Sequence, residues 1–533
     1  MSLQELATSR IRRTPGGKLY ARDFESFYAM LIVSLKLSEI PKKAGFWAKG
    51  YPFSFTITEA EMAMRSMSVT IQRGSTVTTI VCGVPENKVV GFLHRFMHAR
   101  LLHCPSARTQ ETVTKSVLIQ PTSKGLCFVG RYCARNGIRD EYVTKLLLST
   151  YNSMRCISLE RDTITDSIFT SGSFAIMMFQ RFLGKEPNVY NPANPPDPIP
   201  LNSIKTLYRE SSEIEFYHPQ NHGLSGEVSP YAHHYFTHPD SSSVTQYYVS
   251  YRGVRLFKDK QFAPLTKRGG PPVKYDYVFT GKAAWQWFME CTDLVYAGEA
   301  VELANIFLES GLIEPILDEH SVGNYGSLVV SRDAFYKLSA KGVPYCLWKF
   351  RDHGQLDPQD LAWEESSSPV HRRFNPGMLN DEEMKLEYIL NDAGLRLLFR
   401  EHLEHNFCQE NLLFYTETEQ LLLRFETADR NDAGAIKRVF LLLYSIYNRY
   451  LAHRAPFELN LAWHVKKPLV DYLTMSLDKE DPLTILENAA PLLTEVKRKI
   501  RKMLSEDSVP KFLRSPEYYS VNRAASPIIF GDE

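Results

Sequence analysis

Phe407-Cys408-Gln409-Glu410-Asn411-Leu412-Leu413-Phe414-Tyr415 decides how the C-terminal part of this chain reads. Leu412 and Tyr415, with Leu421 and Leu422 further on, recur as the apolar positions of a helix that opens at Cys408. Upstream, Leu395, Leu398, Phe399 and Leu403 fall at i, i+3, i+4 and i+8, with Asp392 placed to cap that helix. Downstream, 438–451 and 483–504 supply further apolar helices. Val509-Pro510 fits a helix start, because the first turn has no intrahelical use for the N–H that proline lacks. Nothing in the segment alternates with period two. The spacing predicts an all-helical bundle over residues 380–519, about 140 residues, an ordinary size for one domain.

The informative residues of this bundle are polar and sit at predicted helix ends. Glu410 and Asn411 open a helix, Asn460 lies in a non-periodic stretch after Pro456, and Asp507 and Ser508 fall between two helices. Taken singly, each fits capping or turn chemistry. No nucleophile stands with a base and no cluster has metal-ligand spacing, so the residues describe a binding domain with no covalent chemistry of its own.

Taken together, the Gly394-to-Phe399 block, the Glu410-Asn411 pair before Phe414, the Asn460 loop and the Asp507-Ser508…Phe512-Leu513 terminus resemble the RGS domain, the regulator of G-protein signalling fold, in order and spacing. The resemblance implies a nine-helix bundle that binds the switch regions of a heterotrimeric G-protein α subunit and accelerates its GTP hydrolysis. It implies that Asn460 is the critical residue, projecting beside the partner's glutamine. Phe407, Glu410 and Asn411 would contact one switch, and Met503, Asp507, Ser508 and Lys511 would receive a switch threonine and its neighbours. Such a partner works by positioning, since phosphoryl transfer needs an oriented water and neutralised charge. No cofactor of the chain's own is expected; Mg and GTP belong to the Gα partner. Two positions depart from the family: Cys408 stands where Ser is usual, a weaker N-cap, and Lys511 where Arg is preferred, without bidentate geometry.

Length and composition bound the rest. The 533 residues point to a multidomain protein, mainly α; the 44% apolar content is ample for packed cores, and Lys+Arg 62 against Asp+Glu 61 argues against a whole-protein nucleic-acid binder. No apolar run approaches membrane-spanning length, and Met1-Ser2-Leu3 begins neither a signal peptide nor a myristoylation signal. Eight scattered Cys read as reduced thiols. The expectation is a cytoplasmic protein, associated peripherally with the plasma membrane.

Toward the N-terminus, residues 1–17 read as a flexible arm. Residues 18–140 read as a winged-helix unit. Its helices carry the face Phe24, Phe27, Tyr28, Leu31 and Ile32, then 59–67 capped by Thr58, then 88–101; a short hairpin is drawn from 117–119 and 126–129. His94 and His98 stand at i and i+4 without a third ligand, so no metal is assigned. Residues 141–186 read as a helical extension in which Glu160-Arg161-Asp162 is a helix-end ion cluster, and 187–250 as a proline-rich linker. Residues 251–350 repeat the helices-plus-wing plan. Thr280 caps a helix bearing Trp285 and Phe288 in the core, a second helix runs from Glu299 to Gly311, and a hairpin is drawn from 328–330 and 335–338. A linker at 351–379 and a tail at 520–533 complete the chain.

The Phe279-Thr280-Gly281…Trp285-Gln286-Trp287 and Glu299-Ala300…Gly311-Leu312-Ile313 pattern resembles the DEP domain. Two DEP-like units followed by an RGS domain resemble the fungal desensitisation and developmental regulators of G-protein pathways. That likeness implies docking on a receptor C-terminal tail or an acidic membrane surface. Two rivals remain at this stage: a G-protein or receptor scaffold without GTPase activation, and a winged-helix nucleic-acid binder, which the absence of a plainly basic helix disfavours.

Overall fold

The computed structural model describes residues 12–189, 249–348 and 381–522, apart from 15, 44–49, 74–75, 106–116, 150, 153, 164, 251–252, 255, 263–270, 318–325, 332 and 477–478. Most of the expected arm, nearly all of the 187–250 linker, the 351–379 linker and the tail beyond 522 lie outside these residues.

The first unit begins with helix α1 (Ala21–Leu35), which buries the predicted face of Phe24, Phe27, Tyr28, Leu31 and Ile32. Helix α2 (Ile57–Arg65) starts earlier than the sequence reading placed it. Thr56, not Thr58, is the cap, because Thr56 and Glu59 close a capping box in which each side chain takes the other's backbone N–H. A hairpin of β1 (Met67–Arg73) and β2 (Thr76–Cys82) follows, with Met67 opposite Cys82 and Arg73 opposite Thr76. Helix α3 (Glu86–His98) leads to a short pairing of β3 (Leu102–His103) with β4 (Gln120–Pro121). The hairpin expected at 117–129 is therefore displaced: Leu126–Val129 belongs to helix α4 (Ser123–Asn136), where Thr122 accepts from the Gly125 N–H and Leu126, Val129 and Cys133 turn inward. Helix α5 (Glu141–Leu147), capped by Asp140, closes the unit. Its core gathers around Phe96, whose ring meets Phe24 at 5.1 Å and Tyr28 at 5.2 Å.

Residues 154–171 form an irregular strap, not a helix, and helix α6 (Gly172–Leu183) follows with most of its side chains buried. Phe182 meets Phe279 at 5.0 Å, Trp287 at 5.4 Å and Phe307 at 5.4 Å.

Those last three rings belong to the second unit. It holds hairpin β5 (Lys260–Phe262) and β6 (Val273–Tyr275), strand β7 (Phe279–Thr280), helices α7 (Gly281–Cys291) and α8 (Ala297–Glu309), and strands β8 (Ile313–Ile316) and β9 (Phe335–Leu338). Thr280 caps α7 as predicted, accepting from Ala283. Two details of the reading are corrected. Trp287 is the buried indole, while Trp285 is only half-buried and donates to Ala297 O. The partner of β9 is β8, not 328–330; the three strands run in the order β8-β9-β7, and Val329 and Val330 are exposed. The hydrophobic stretch after Gly311, whose φ of +66° turns the chain, is what β9 pairs with.

The C-terminal unit is helical throughout, as its periodicity predicts. It comprises α9 (Glu382–Asn391), α10 (Ala393–His405), α11 (Gln409–Thr427), α12 (Ala433–Ile446), α13 (Trp463–Ser476), α14 (Pro482–Met503), α15 (Val509–Leu513) and α16 (Pro516–Asn522). Asp392 caps α10, accepting from Leu395 at 2.8 Å. Helix α12 starts five residues before the predicted Arg438, behind an Asp432 cap. One-turn π segments, Tyr447–Leu451 and Leu504–Ser508, extend α12 and α14. Among the described residues no helix is long and apolar enough to cross a membrane.

The strap and α6 tie the three units together. Arg161 holds Glu299 of α8 through two hydrogen bonds, 2.7 and 2.8 Å, while Glu160 pairs with Arg396 and Arg400 of α10, Arg155 with Glu404 and Arg181 with Glu401. Glu160 and Arg161 thus bond between units, and Asp162 accepts locally from Thr165, so the three do not form the helix-end cluster expected. Ser171 accepts from the N–H of Phe174 and of Gly394 and donates to Asp392, so one hydroxyl joins the N-termini of α6 and α10. Only glycine fits at 394, since a Cβ there would lie 2.3 Å from the Phe174 nitrogen.

Candidate functional site

The turn between α10 and α11 is a Schellman motif: Cys408 N–H donates to Leu403 O at 3.0 Å and Phe407 N–H to Glu404 O at 3.2 Å. The residue at its left-handed position is normally glycine. Here it is Phe407, at φ +53° and 54% exposed. A bulky side chain held there costs about 1–2 kcal/mol, so Phe407 is an exposed aromatic ring kept in a strained conformation. Cys408 makes no side-chain cap bond to α11, as expected from its poor capping chemistry.

The first turn of α11 presents Glu410. Burial pushes its carboxyl above the usual range, and it has no ion-pair partner among the described residues. Asn411 is buried behind it, and its Oδ1 lacks a hydrogen-bond partner. The expected contact residue therefore sits beneath the face that Phe407 and Glu410 form.

Asn460 is exposed on the irregular 452–462 stretch, and the residues before it are tightly held. Phe457 N–H donates to Arg449 O at 3.0 Å and Leu459 N–H to Tyr450 O at 3.0 Å. The buried Lys466 amine donates to Leu459 O and to Glu458. Arg449, in the first π turn, is itself anchored on Glu417 of α11. The Asn460 side chain consequently projects from a pinned base.

The second π turn carries Asp507 and Ser508. The sequence reading put them between two helices; the chain instead stays helical through both, because Val509 N–H bonds Leu504 O five residues back. Asp507 is exposed and paired with Lys511 at 2.7 Å, Ser508 is buried, and Met503 is half-buried at the end of α14. The Cys408 thiol links this end to the other. Burial pushes it up to about 11, Glu410 and Asp507 add to that, and Lys511 opposes them. Residues about a hundred positions apart thus converge around Cys408, while Phe407, Glu410 and Asn460 line one cleft of about 1670 Å³ whose opposite wall is α4 and Arg139 of the first unit.

Three features of the site escaped the sequence reading: the left-handed Phe407, and the two π turns that lead to Asn460 and carry Asp507. A π turn is one extra residue in a helix and recurs at functional sites, but it leaves no compositional mark. Phe407 could have been suspected from the missing glycine between two helices separated by only three residues, Asn406 to Cys408.

Comparison with known proteins follows the same divisions. Residues 23–149 match the fungal-differentiation regulator winged helix domain, 264–338 the domain found in Dishevelled, Egl-10, and Pleckstrin, and 385–521 the regulator of G protein signaling domain. The chain thus carries a fungal-differentiation winged helix, a DEP domain and an RGS domain, in that order. This DEP–RGS protein is 26% identical over 97% of its length to developmental regulator flbA of Emericella nidulans, of which it spans 66%. It is 23% identical over 94% of its length to regulator of G-protein signaling 1 of Schizosaccharomyces pombe, covering 90% of that relative. Over 37% of its length it is 24% identical to regulator of G-protein signaling 20 of Gallus gallus. The RGS domain is the part built around the site above; the DEP domain supplies β6–β9, α7 and α8.

Proposed function

We propose that this protein is a GTPase-activating protein for the α subunit of a heterotrimeric G protein and that it dampens receptor-coupled signalling. The observation that carries the reading is Asn460, exposed on a base pinned by Lys466, Arg449 and Tyr450, with Phe407 and Glu410 in the same cleft. A side-chain amide that both donates and accepts can orient a water and a glutamine at once. Holding mobile switches in the reactive arrangement lowers the barrier without chemistry by the activator. Asp507, loosely paired with Lys511 in solvent, is free to exchange that lysine for a hydroxyl or N–H of the partner.

The DEP domain, in this reading, brings the RGS domain to a receptor tail or an acidic membrane surface, making the protein a peripheral one. Linking raises the local concentration of activator at its target. Mg and GTP are the partner's.

Single-turnover GTP hydrolysis by a purified Gα with the full chain tests this. Wild type accelerates, and Asn460→Ala loses about 1–3 kcal/mol of transition-state stabilisation. Binding of several Gα proteins without acceleration by any would replace activation by scaffolding. Phe407→Gly separates strain from contact: it relieves a left-handed aromatic and raises unfolding stability by about 1 kcal/mol, while Gα affinity falls in a binding titration. Unchanged affinity would remove Phe407 from the docking face.

A further inference from the structure

Where the first winged helix faces the RGS domain across the cleft, four guanidinium groups gather around two shared carboxylates. Arg22 and Glu25 lie three residues apart on α1, and Arg131 and Arg135 four apart on α4, so each pair shares a helix face. Arg135 donates to Glu25 at 2.6 Å, and Arg131 stands 3.5 Å from the same oxygen. On the facing wall Arg449 donates to both oxygens of Glu417, and Arg22 reaches that carboxylate at 3.7 Å. Asp293 takes one further bond from Arg131, at 2.9 Å. All seven side chains line the cleft.

The pairing is incomplete. Arg131 Nη2 and Arg449 Nε are buried without a hydrogen-bond partner among the described residues, and Arg449 as a whole is 8% exposed. The half-exposed Arg22 guanidinium has the long contact to Glu417 alone among those residues. Buried donors without acceptors are costly, and a bound anion supplies what they lack. Burial lowers the Arg135 guanidinium to about 10 against the pull of Glu25, and Arg22, Arg131 and Arg449 push it the same way. Positive charge is thus crowded at this point. Arginine supplies every cation of the cleft lining, and its planar fork matches the oxygens of a phosphate where lysine would offer a point charge. A phosphate monoester brings nearly two negative charges and three acceptor oxygens, enough to serve several guanidinium groups at once. The cleft, about 1670 Å³, has room for an ester with more than one phosphate.

We propose that the arginines around Glu25 and Glu417 bind a small polyphosphorylated ester between the first winged helix and the RGS domain. The ester is held there and not cleaved. Arg449 O also takes the Phe457 N–H, at 3.0 Å, so the ligand fastens the first winged helix to the base of the Asn460 stretch. The same phosphates occur on a soluble polyol or on a lipid headgroup.

The test is calorimetric titration of the full chain with inositol hexakisphosphate at physiological salt. Wild type should bind, and Arg22→Gln should bind about tenfold more weakly, the loss of one charged hydrogen-bonding group. Arg22 is half-exposed with one long contact, so this variant keeps the fold. Arg498→Gln, on α14 outside the cleft lining and paired with Glu495, should bind as wild type does. Phenylglyoxal modification read by mass spectrometry should find Arg22 shielded by the ester and Arg498 unshielded. No binding, equal binding by wild type and Arg22→Gln, or an unchanged rate of Arg22 modification at saturating ester would overturn the proposal. Equal competition by inorganic phosphate would overturn it too, leaving an adventitious ion only. Sedimentation with phosphatidylcholine vesicles carrying phosphatidylinositol bisphosphate separates the sources. Retention of wild type and not of Arg22→Gln supports the site with a lipid headgroup as ligand; titration without retention supports it with a soluble ester. None of these readouts depends on G-protein activity.

Discussion

The DEP domain and the first winged helix follow one plan, yet they meet the rest of the molecule by different means. The DEP domain shares a continuous apolar core with the RGS domain, through α6, whose Phe182 lies among DEP rings while its N-terminus abuts Gly394. The first winged helix keeps a core of its own, into which Val295 of the DEP domain also packs. Its other links are mostly polar. Lys124 donates to Met289 O and Leu294 O, Arg131 pairs with Asp293, the Tyr296 hydroxyl donates to Leu19 O, and Arg22 reaches Glu417 at 3.7 Å. Shared apolar burial makes two domains one cooperative unit. Buried polar links orient a domain without contributing comparable stability, because desolvation offsets most of the attraction.

The largest expected effect tests the shared core. Phe182→Ala should cost about 3–5 kcal/mol, and in urea unfolding the DEP and RGS transitions should move together. Separate transitions would break the comparison. Next comes Lys124. Burial lowers its amine from 10.5 to about 8, against the pull of nearby acidic groups. Between those pH values the unfolded chain binds more protons than the folded one, so stability rises with pH, on the order of 2 kcal/mol across the window. Urea titrations at several pH values should show that rise in wild type and its loss in Lys124→Met; an equal rise in both would assign it to other groups. The smallest effect is Arg22→Ala. Its half-exposed pair with Glu417 should be worth less than about 0.5 kcal/mol by thermal unfolding, and a larger loss would make the first winged helix more than a polar neighbour of the RGS domain.

Much of this architecture could be read from the residues alone, and the failures have physical causes. Helical periodicity located α1, α10 and α11, and capping chemistry placed Asp392 before α10 and Thr280 before α7, because side-chain spacing and local hydrogen bonds decide such elements. The hairpin of the first unit was misplaced although Met67–Arg73 and Thr76–Cys82 carry a run of Val, Ile and Thr on either side of Gly74-Ser75. That β-branched run outweighs the shorter apolar run at 126–129, which Thr122 turns into a helix. Trp287 rather than Trp285 fills the core because α6 packs on α7 from a side that α7 itself cannot specify. The order and spacing of Phe407, Glu410, Asn460, Asp507 and Lys511 were legible. Their convergence around Cys408 and the cleft was not, since it depends on long-range packing.

The π turn at Leu504–Ser508 has a meaning in terms of chain length. Each π turn holds one residue more than α geometry needs, so deleting a single residue there would heal the helix without breaking it. The bundle would keep its core, because the residues beyond the turn, buried Val509 and Phe512 among them, would stay in register, and only the widened backbone around Asp507 would change. Asp507, inside the turn, would lose its present position relative to Cys408 and Glu410, while Lys511 beyond it would keep its own. Loss of one residue in this turn is thus a change of aim rather than of fold, and relatives that differ in length here would differ in what they can grip.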